Sequence, residues 1–246
     1  MIDIHSHILP AVDDGSVNLK QSKNMLKIAH EEGIQYIIAT PHYGAGCVNP
    51  NQEELQKKLE LVRKEAKKID KNFRIELGNE LFFSDDILVH LRKKKALTLA
   101  GTRYVLVEFA TSETYEDLKV GLHRLLIQGY LPILAHVERY ECLYENYEGI
   151  EYLINLGAYM QLNIISVLGK GREKQVAFSR KLLDYGMIHF LGTDSHSDSG
   201  RAPMIKEAQA YLYKRYGVEV IDTLLYENAG RLLNNEYISI RSYHGI

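Results

Sequence analysis

The stretch Tyr104-Val-Leu-Val-Glu108 sets the pattern from which the fold is read. Consecutive apolar residues suit a parallel strand covered on both faces, and this run closes on a carboxylate. Burying Glu108 there is costly unless it is paired with a cation or bound to metal. The same arrangement, an apolar run delivering a polar side chain at its C-terminal end, recurs along the chain. The runs that read as strands are Met1–Ile4, Gln35–Thr40, Phe73–Leu77, Tyr104–Phe109, Pro132–Ala135, Tyr159–Asn163 and His189–Gly192. In order, they deliver His5 and His7 (then Asp13 and Asp14), His42, Glu80, Glu108, His136, Gln161 with Asn163, and Asp194 with His196.

Helical patterns lie between these runs. Ser22, Met25, Leu26 and Ala29 follow i, i+3, i+4, i+7 spacing, Asn18 with Gln21 marks a start, and Gly33 sits where a C′ glycine ends a helix. Glu53–Ile69 and Lys174–Tyr185 read as further helices. Strand alternating with helix throughout predicts an α/β fold with a parallel sheet. An open sheet favours one topological switch point for its site, whereas here every strand end contributes. That fits a closed α/β barrel with its site at the C-terminal face. With 246 residues and no Pro-rich linker, low-complexity stretch or clear repeat, residues 1–246 read as a single domain.

Hydrophobic residues make up 46% and charged residues 25%, as in ordinary globular proteins. A formal net charge of -2 gives no field favouring nucleic acid or an anionic membrane. No apolar run reaches the roughly 18 residues needed to span a bilayer. Met1-Ile-Asp-Ile-His5 lacks a basic-then-apolar leader, and Cys47 with Cys142 does not make a disulfide scaffold. The expectation is a cytoplasmic protein without nucleic-acid binding or membrane insertion.

An isolated histidine is more often packed or solvated than a ligand. His30, His90, His123, His189 and His244, placed in helices, at a strand start or in the tail, take that reading. His5, His7, His42, His136 and His196 instead all follow strand ends. Alternate residues leaving a strand point the same way, so both rings of His5-Ser-His7 can face one ion, and Asp194-Ser-His196 repeats the spacing. For Glu108 a salt bridge to Arg or Lys is the competing reading. A mixed imidazole and carboxylate set suits Mn, Fe, Co or Zn better than Mg or Ca. With Asp14 included, the candidates exceed what one ion requires, so two or three divalent ions are expected. Adjacent ions can clamp attacking and leaving oxygens and lower the pKa of a bridging water. Cysteine-based phosphatase chemistry does not fit, because six residues after Cys47 and Cys142 stand Glu53 and Glu148 rather than arginine. Gly44-x-Gly46 and Gly169-x-Gly171 lack the third glycine of a dinucleotide fingerprint, and Lys93-Lys-Lys95 reads as a solvated helix end.

Asp3-Ile-His-Ser-His7, Ile8-Leu-Pro10 running into Asp13-Asp-Gly15, Ala39-Thr-Pro-His42, Glu80, Val107-Glu-Phe109, Ala135-His-Val-Glu-Arg139 and Thr193-Asp-Ser-His196 resemble the PHP (polymerase and histidinol phosphatase) superfamily. Within it they are most similar to the bacterial CpsB/YwqE/CapC-type protein-tyrosine phosphatases, from Met1 to about Ala229. The resemblance implies a distorted (β/α)7 TIM-like barrel holding up to three ions, usually manganese. It places His5, His7, Glu80 and Asp194 around one ion with Glu80 shared, Glu108 and His136 at a second, and His42 and His196 at a third. Asp14 is implied as third-site ligand or as acid for the leaving phenolate. Arg139 and Arg201 are implied on the phosphate, for which an arginine fork is suited; for both, an ordinary surface or structural ion pair competes. Asp14, His42, Arg139 and Arg201 are thus the implied catalytic set.

The implied reaction is hydrolysis of phosphotyrosine by a metal-bound hydroxide, on a tyrosine autokinase that controls capsule or exopolysaccharide synthesis. A homo-oligomer is compatible with it. A histidinol-phosphate or other small-molecule phosphomonoesterase of the superfamily is the alternative. An exonuclease would call for a basic track, for which a net charge of -2 gives no support, and a binding protein without turnover would show broken ligands, whereas all are intact. Tyr43 departs from the pattern, since many relatives carry a second histidine there; this bears on substrate preference more than on metal binding.

Overall fold

The apolar runs form strands close to where the sequence places them. In the computed structural model, which describes residues 1–169 and 172–239, β1 (Ile2–Ser6), β2 (Tyr36–Ala39) and β4 (Arg74–Leu77) pair in parallel. A second parallel set runs in the order β3 (His42–Gly44), β5 (Glu80–Phe82), β6 (Tyr104–Glu108), β7 (Leu131–Leu134), β8 (Tyr159–Asn163) and β9 (Phe190–Gly192). β2 and β3 are one line of chain interrupted at Thr40-Pro41, and β4 and β5 one line interrupted at Gly78-Asn79. Proline has no N–H to give to a ladder. Its carbonyl accepts instead from the Glu80 N–H at 3.2 Å and from Asn79 Nδ2 at 3.0 Å, so the two lines keep register across the break.

The remaining seam, between β1 and β9, is closed by the chain just beyond β9. The Asp194 N–H donates to His5 O at 2.8 Å, the His7 N–H donates to Ser195 O at 2.9 Å, and Ser6 pairs in parallel with Ser195. The buried Asp3 carboxylate fastens the same seam, accepting from the Thr193 N–H at 3.0 Å and the Thr193 hydroxyl at 2.6 Å. With each interrupted line taken once, seven parallel lines wall an α/β barrel.

Crossover helices cover the outside. α1 (Leu19–Glu31) begins at Asn18, whose side chain accepts from the Gln21 N–H, buries Ser22, Met25, Leu26 and Ala29, and ends just before Gly33, as the spacing predicts. α2 (Gln52–Ile69) and α6 (Glu173–Asp184) match the other two helical patterns. α3 (Asp85–Arg92) runs out into exposed Lys93-Lys-Lys95, the solvated end expected there. α4 (Tyr115–Ile127), α5 (Tyr147–Leu156) and α7 (Lys206–Tyr216) complete the longer helices among the described residues. The N-terminal end of the barrel is filled by Tyr104, Leu106, Ile133, Tyr159 and Phe190 packed with Ile238. The opposite end stays polar, and every strand points its C-terminus there. No helix among the described residues is long and apolar enough to cross a membrane.

Candidate metal centre

His5 and His7 leave β1 at alternate positions, and their Nε2 atoms come within 3.3 Å of each other. The other nitrogen of each ring is engaged: His5 Nδ1 lies 3.1 Å from Gln161 Oε1, and His7 Nδ1 lies 2.8 Å from Asp13 Oδ2. Acceptors at Nδ1 place the proton there and leave both Nε2 lone pairs facing one point. Glu80 brings Oε2 to 3.2 Å from both of those Nε2 atoms and to 3.1 Å from His42 Nδ1. Asp194 Oδ1 stands 3.5 Å and 3.6 Å from the same two rings. Glu80 Oε2 is fully enclosed, yet no well-formed hydrogen bond reaches it. Ligands at about 2.1 Å from one ion lie roughly 3–3.5 Å from one another, so this quartet fits a divalent cation that takes nitrogen and oxygen together.

Two further groups adjoin it. His42 Nδ1 lies 3.1 Å from Glu108 Oε1, while His136 Nε2 lies 2.9 Å from Glu80 Oε1 and 3.5 Å from Glu108 Oε2. On the other side Asp14 Oδ1 stands 3.3 Å from His42 Nε2 and 3.4 Å from His196 Nε2, with the His7 and His196 rings 3.8 Å apart. Every candidate ligand named from the sequence is therefore in one connected cluster, joined through Glu80, His7 and His42. Two of the strand ends are bent to achieve this. His136 (φ 33°) and Asp194 (φ 51°) adopt the left-handed region, which costs a non-glycine residue roughly 1–2 kcal/mol. The loop carrying Asp13 and Asp14 lies directly on His7: a Cβ at Gly15 would stand 2.3 Å from His7 O.

The electrostatics ask for positive charge at the centre. Burial pulls the His5 ring toward the neutral form, but the Glu80 and Asp194 carboxylates outweigh it and hold the ring up at about 10. Burial likewise opposes protonation of His42, yet Glu108 and Glu80 raise it to about 9. Burial works to raise the Glu80 carboxyl, and the surrounding imidazoles, His5 first, hold it well below the ordinary carboxylate range. His196, buried beside His7, falls to about 4. Protons on imidazoles and a divalent ion meet the same demand, so donor set, spacing and charge all fit a metal.

Arg139 Nη2 lies 2.5 Å from Asp194 Oδ2, and Arg201 Nη2 lies 2.8 Å from Asp194 Oδ1 and 3.2 Å from Asp194 O. Arg201 does form an ion pair, but with a residue of the cluster. Several residues serve the cluster from behind without having been singled out as ligands. Asp13 accepts from His7 and, at 3.1 Å, from the His42 N–H. Gln161 Oε1 also accepts the His136 N–H at 2.8 Å. The Gln161 side chain donates to Asn163, whose own donates to Asp194, both at 2.9 Å. The signal for such residues is the ligand itself: a metal-binding imidazole needs a partner on its far nitrogen. Of the histidines set aside, the four among the described residues stay outside the cluster. His30 pairs with Asp70, His123 is exposed on α4, and His189 is buried at the start of β9. His90 meets the Tyr43 hydroxyl at 3.0 Å, which directs Tyr43 away from the cluster. His244 lies outside the described residues.

A family model described as capsular polysaccharide synthesis, CpsB/CapC, matches residues 1–234. Tyrosine-protein phosphatase CpsB of Streptococcus agalactiae is 32% identical over 243 residues, spanning 97% of this chain and 100% of its own length. Tyrosine-protein phosphatase YwqE of Bacillus subtilis is 33% identical over 238 residues, spanning 97% of this chain and 93% of its own length. A solved structure from the pair YwqE of Bacillus subtilis and CpsB of Streptococcus pneumoniae, described as unique metal-dependent tyrosine phosphatases, superposes with a TM-score of 0.91. Its identity is 32%, and the match covers 100% of this chain and 99% of that one. A β-aspartyl dipeptidase from Fervidobacterium islandicum superposes with a TM-score of 0.54 at 11% identity, covering 99% of this chain and 76% of its own; it shares the fold alone. With a family match running almost end to end over a barrel whose strand ends hold the clustered His, Asp and Glu side chains, the chain belongs to the CpsB/CapC family.

Proposed function

We infer that this chain is a metal-dependent protein-tyrosine phosphatase. The observation that carries the reading is the convergence of His5, His7, Glu80 and Asp194 on one point with two arginines against Asp194. On this reading those four residues hold one ion, Glu108 and His136 with Glu80 hold a second, and His42 and His196 serve a third. Divalent ions there, Mn²⁺ ahead of Fe, Co or Zn, would supply Lewis acidity toward the phosphoryl group and make water acidic enough to react near neutral pH.

The chain's own residues account for the rest. Arg139 and Arg201 present planar forks matched to the non-bridging oxygens of a phosphate. Losing one such contact in the transition state costs ~2–4 kcal/mol, roughly 30- to 1000-fold in rate. Asp14, with its side chain 66% exposed at the mouth, serves as third-site ligand or gives a proton to the leaving phenolate. A phenolate asks less of that acid than an alkoxide does. Neither cysteine takes part: Cys47 is exposed beyond β3 and Cys142 lies after the Arg139 turn. The physiological substrate is the phosphotyrosine segment of a cytoplasmic tyrosine autokinase in polysaccharide synthesis, acted on by residues 1–246 as one catalytic unit; the family's capsule description supports this.

The test is hydrolysis of a phosphotyrosine peptide with Mn²⁺, compared with a phosphoserine peptide and histidinol phosphate. The phosphotyrosine peptide is the preferred substrate, chelation abolishes turnover and Mn²⁺ restores it. Cys47→Ser and Cys142→Ser keep most activity, whereas Arg139→Ala loses it at unchanged metal content. Faster turnover of phosphoserine or histidinol phosphate at equal metal loading would refute the tyrosine-phosphatase reading.

A further inference from the structure

Beside Asp194 opens a cavity of about 270 Å³ whose lining divides by chemistry. Arg139, Arg201 and Asn163, all on Asp194, line it. Ile165 and Met204 line it too, and stay 38% and 58% exposed although each faces the cavity. Single exposed apolar residues need no explanation; two that share a small cavity with a pair of arginines do. The volume falls just below the ~300–1,000 Å³ of pockets that enclose drug-sized molecules, which suits one ring and its phosphate.

Both apolar walls are held in place. Ile165 lies in the turn Ile164–Leu168, which is tied down by the Ser166 hydroxyl donating to buried Glu138 at 2.7 Å. The same turn is held by Arg180 donating twice to Val167 O, at 3.1 and 2.8 Å. Met204 precedes Ile205 and Lys206, whose N–H groups both donate to Glu32 Oε2 at 2.7 Å. The slot therefore exists before anything enters it, and little ordering cost attends its filling.

We propose that Ile165 and Met204 are the specificity-determining walls of an aryl subsite, taking the phenyl ring of a phosphomonoester whose phosphate lies against Arg139 and Arg201. This rests on the phosphatase reading and adds to it the reason for aryl over alkyl esters. The single carbon of a phosphoserine side chain offers these walls little apolar surface to cover. A phenyl ring offers them far more, with the methionine sulfur a favourable neighbour for an aromatic face or edge.

The experiment uses the Mn²⁺-loaded full chain and Ile165→Ala, Met204→Ala and Met204→Leu variants. Turnover of phosphotyrosine and phosphoserine peptides of one sequence is compared, and phenylphosphonate and methylphosphonate binding is titrated by calorimetry. Each alanine lowers the aryl-to-alkyl ratio of kcat/KM about tenfold through KM, at unchanged metal content, and removes the preference for phenylphosphonate; Met204→Leu retains both. Parallel loss on both esters, or an unchanged ratio, overturns the subsite while leaving the phosphatase reading intact. Should the wild type turn over neither peptide, the phosphatase reading falls, and the slot is still decided by the titration. Equal binding of the two phosphonates by wild type rejects it.

Discussion

Asp13 sits 2.8 Å behind the His7 ring, and Glu80 sits 3.2 Å in front of it. The carboxylate behind fixes the Nδ1–H tautomer and so decides that Nε2 offers a lone pair. It also accepts the His42 N–H at 3.1 Å and the Gly15 N–H at 3.0 Å, which couples two ligand-bearing loops through one side chain. Removing a partner of this kind typically costs 10–100-fold in metal affinity. Asp13→Ala is therefore expected to weaken Mn²⁺ binding by about that factor in calorimetric titration, with the candidate ligands themselves untouched. Affinity within about twofold of wild type would mean that something else sets the His7 tautomer. Asp14 aside, whose role comes from the resemblance, the candidate ligands are legible from sequence because each follows an apolar run. Asp13 is not, since a loop residue reaching back to His7 follows no strand or helix period. In sequence it appears only as the first of an acidic pair.

At the level of elements, the seam between β1 and β9 places His5 beside Asp194, and Asp3 is its fastener. Its carboxylate accepts the Thr193 N–H and hydroxyl and, at 3.3 Å, the His5 N–H. Hydrogen bonds to charged groups contribute about 1.5–3 kcal/mol each, and unpaired buried donors add a penalty. Asp3→Ala should lower the unfolding free energy by about 3 kcal/mol or more in denaturant titration with chelator present. A loss under about 1 kcal/mol would assign the seam to the Asp194–His5 and His7–Ser195 backbone bonds alone. The strands and α1 follow from apolar runs and caps that are local. The interruptions at Pro41 and Asn79 do not, because they matter only where two neighbouring lines must match. α4 is hidden for a similar reason: Gly121 weakens its helical signal, yet a Cβ there would stand 2.6 Å from Phe109, against which the helix packs. Tertiary packing outweighs propensity at such a position.

For the whole molecule, the polar mouth and the apolar base of the barrel respond to solution conditions in different ways. Ions bound only by the folded mouth stabilise the fold by mass action, about 4 kcal/mol at a thousandfold excess over Kd. Mn²⁺ should therefore raise Tm by roughly 8–16 °C in this size range, and chelator should reverse it. At the base, His189 is buried beside the Tyr159 ring, with the Met160 N–H donating to its Nδ1 at 3.1 Å. That bond requires an unprotonated Nδ1, and burial pushes the ring down from 6.5 to about 4. The unfolded chain thus binds more protons than the folded one between those values. The contribution is complete above about pH 6.5 and is lost as pH falls toward about 4, amounting to about 3 kcal/mol in full and about 2 kcal/mol by pH 5. His189→Asn keeps an acceptor near Nδ1 and cannot take the proton. Unfolding free energies of wild type and His189→Asn, measured in chelator so that metal release plays no part, should converge by about 2 kcal/mol between pH 7.5 and pH 5. Parallel curves would mean that the His189 ring titrates alike in the folded and unfolded chain, and the acid sensitivity of this fold would then belong to its mouth.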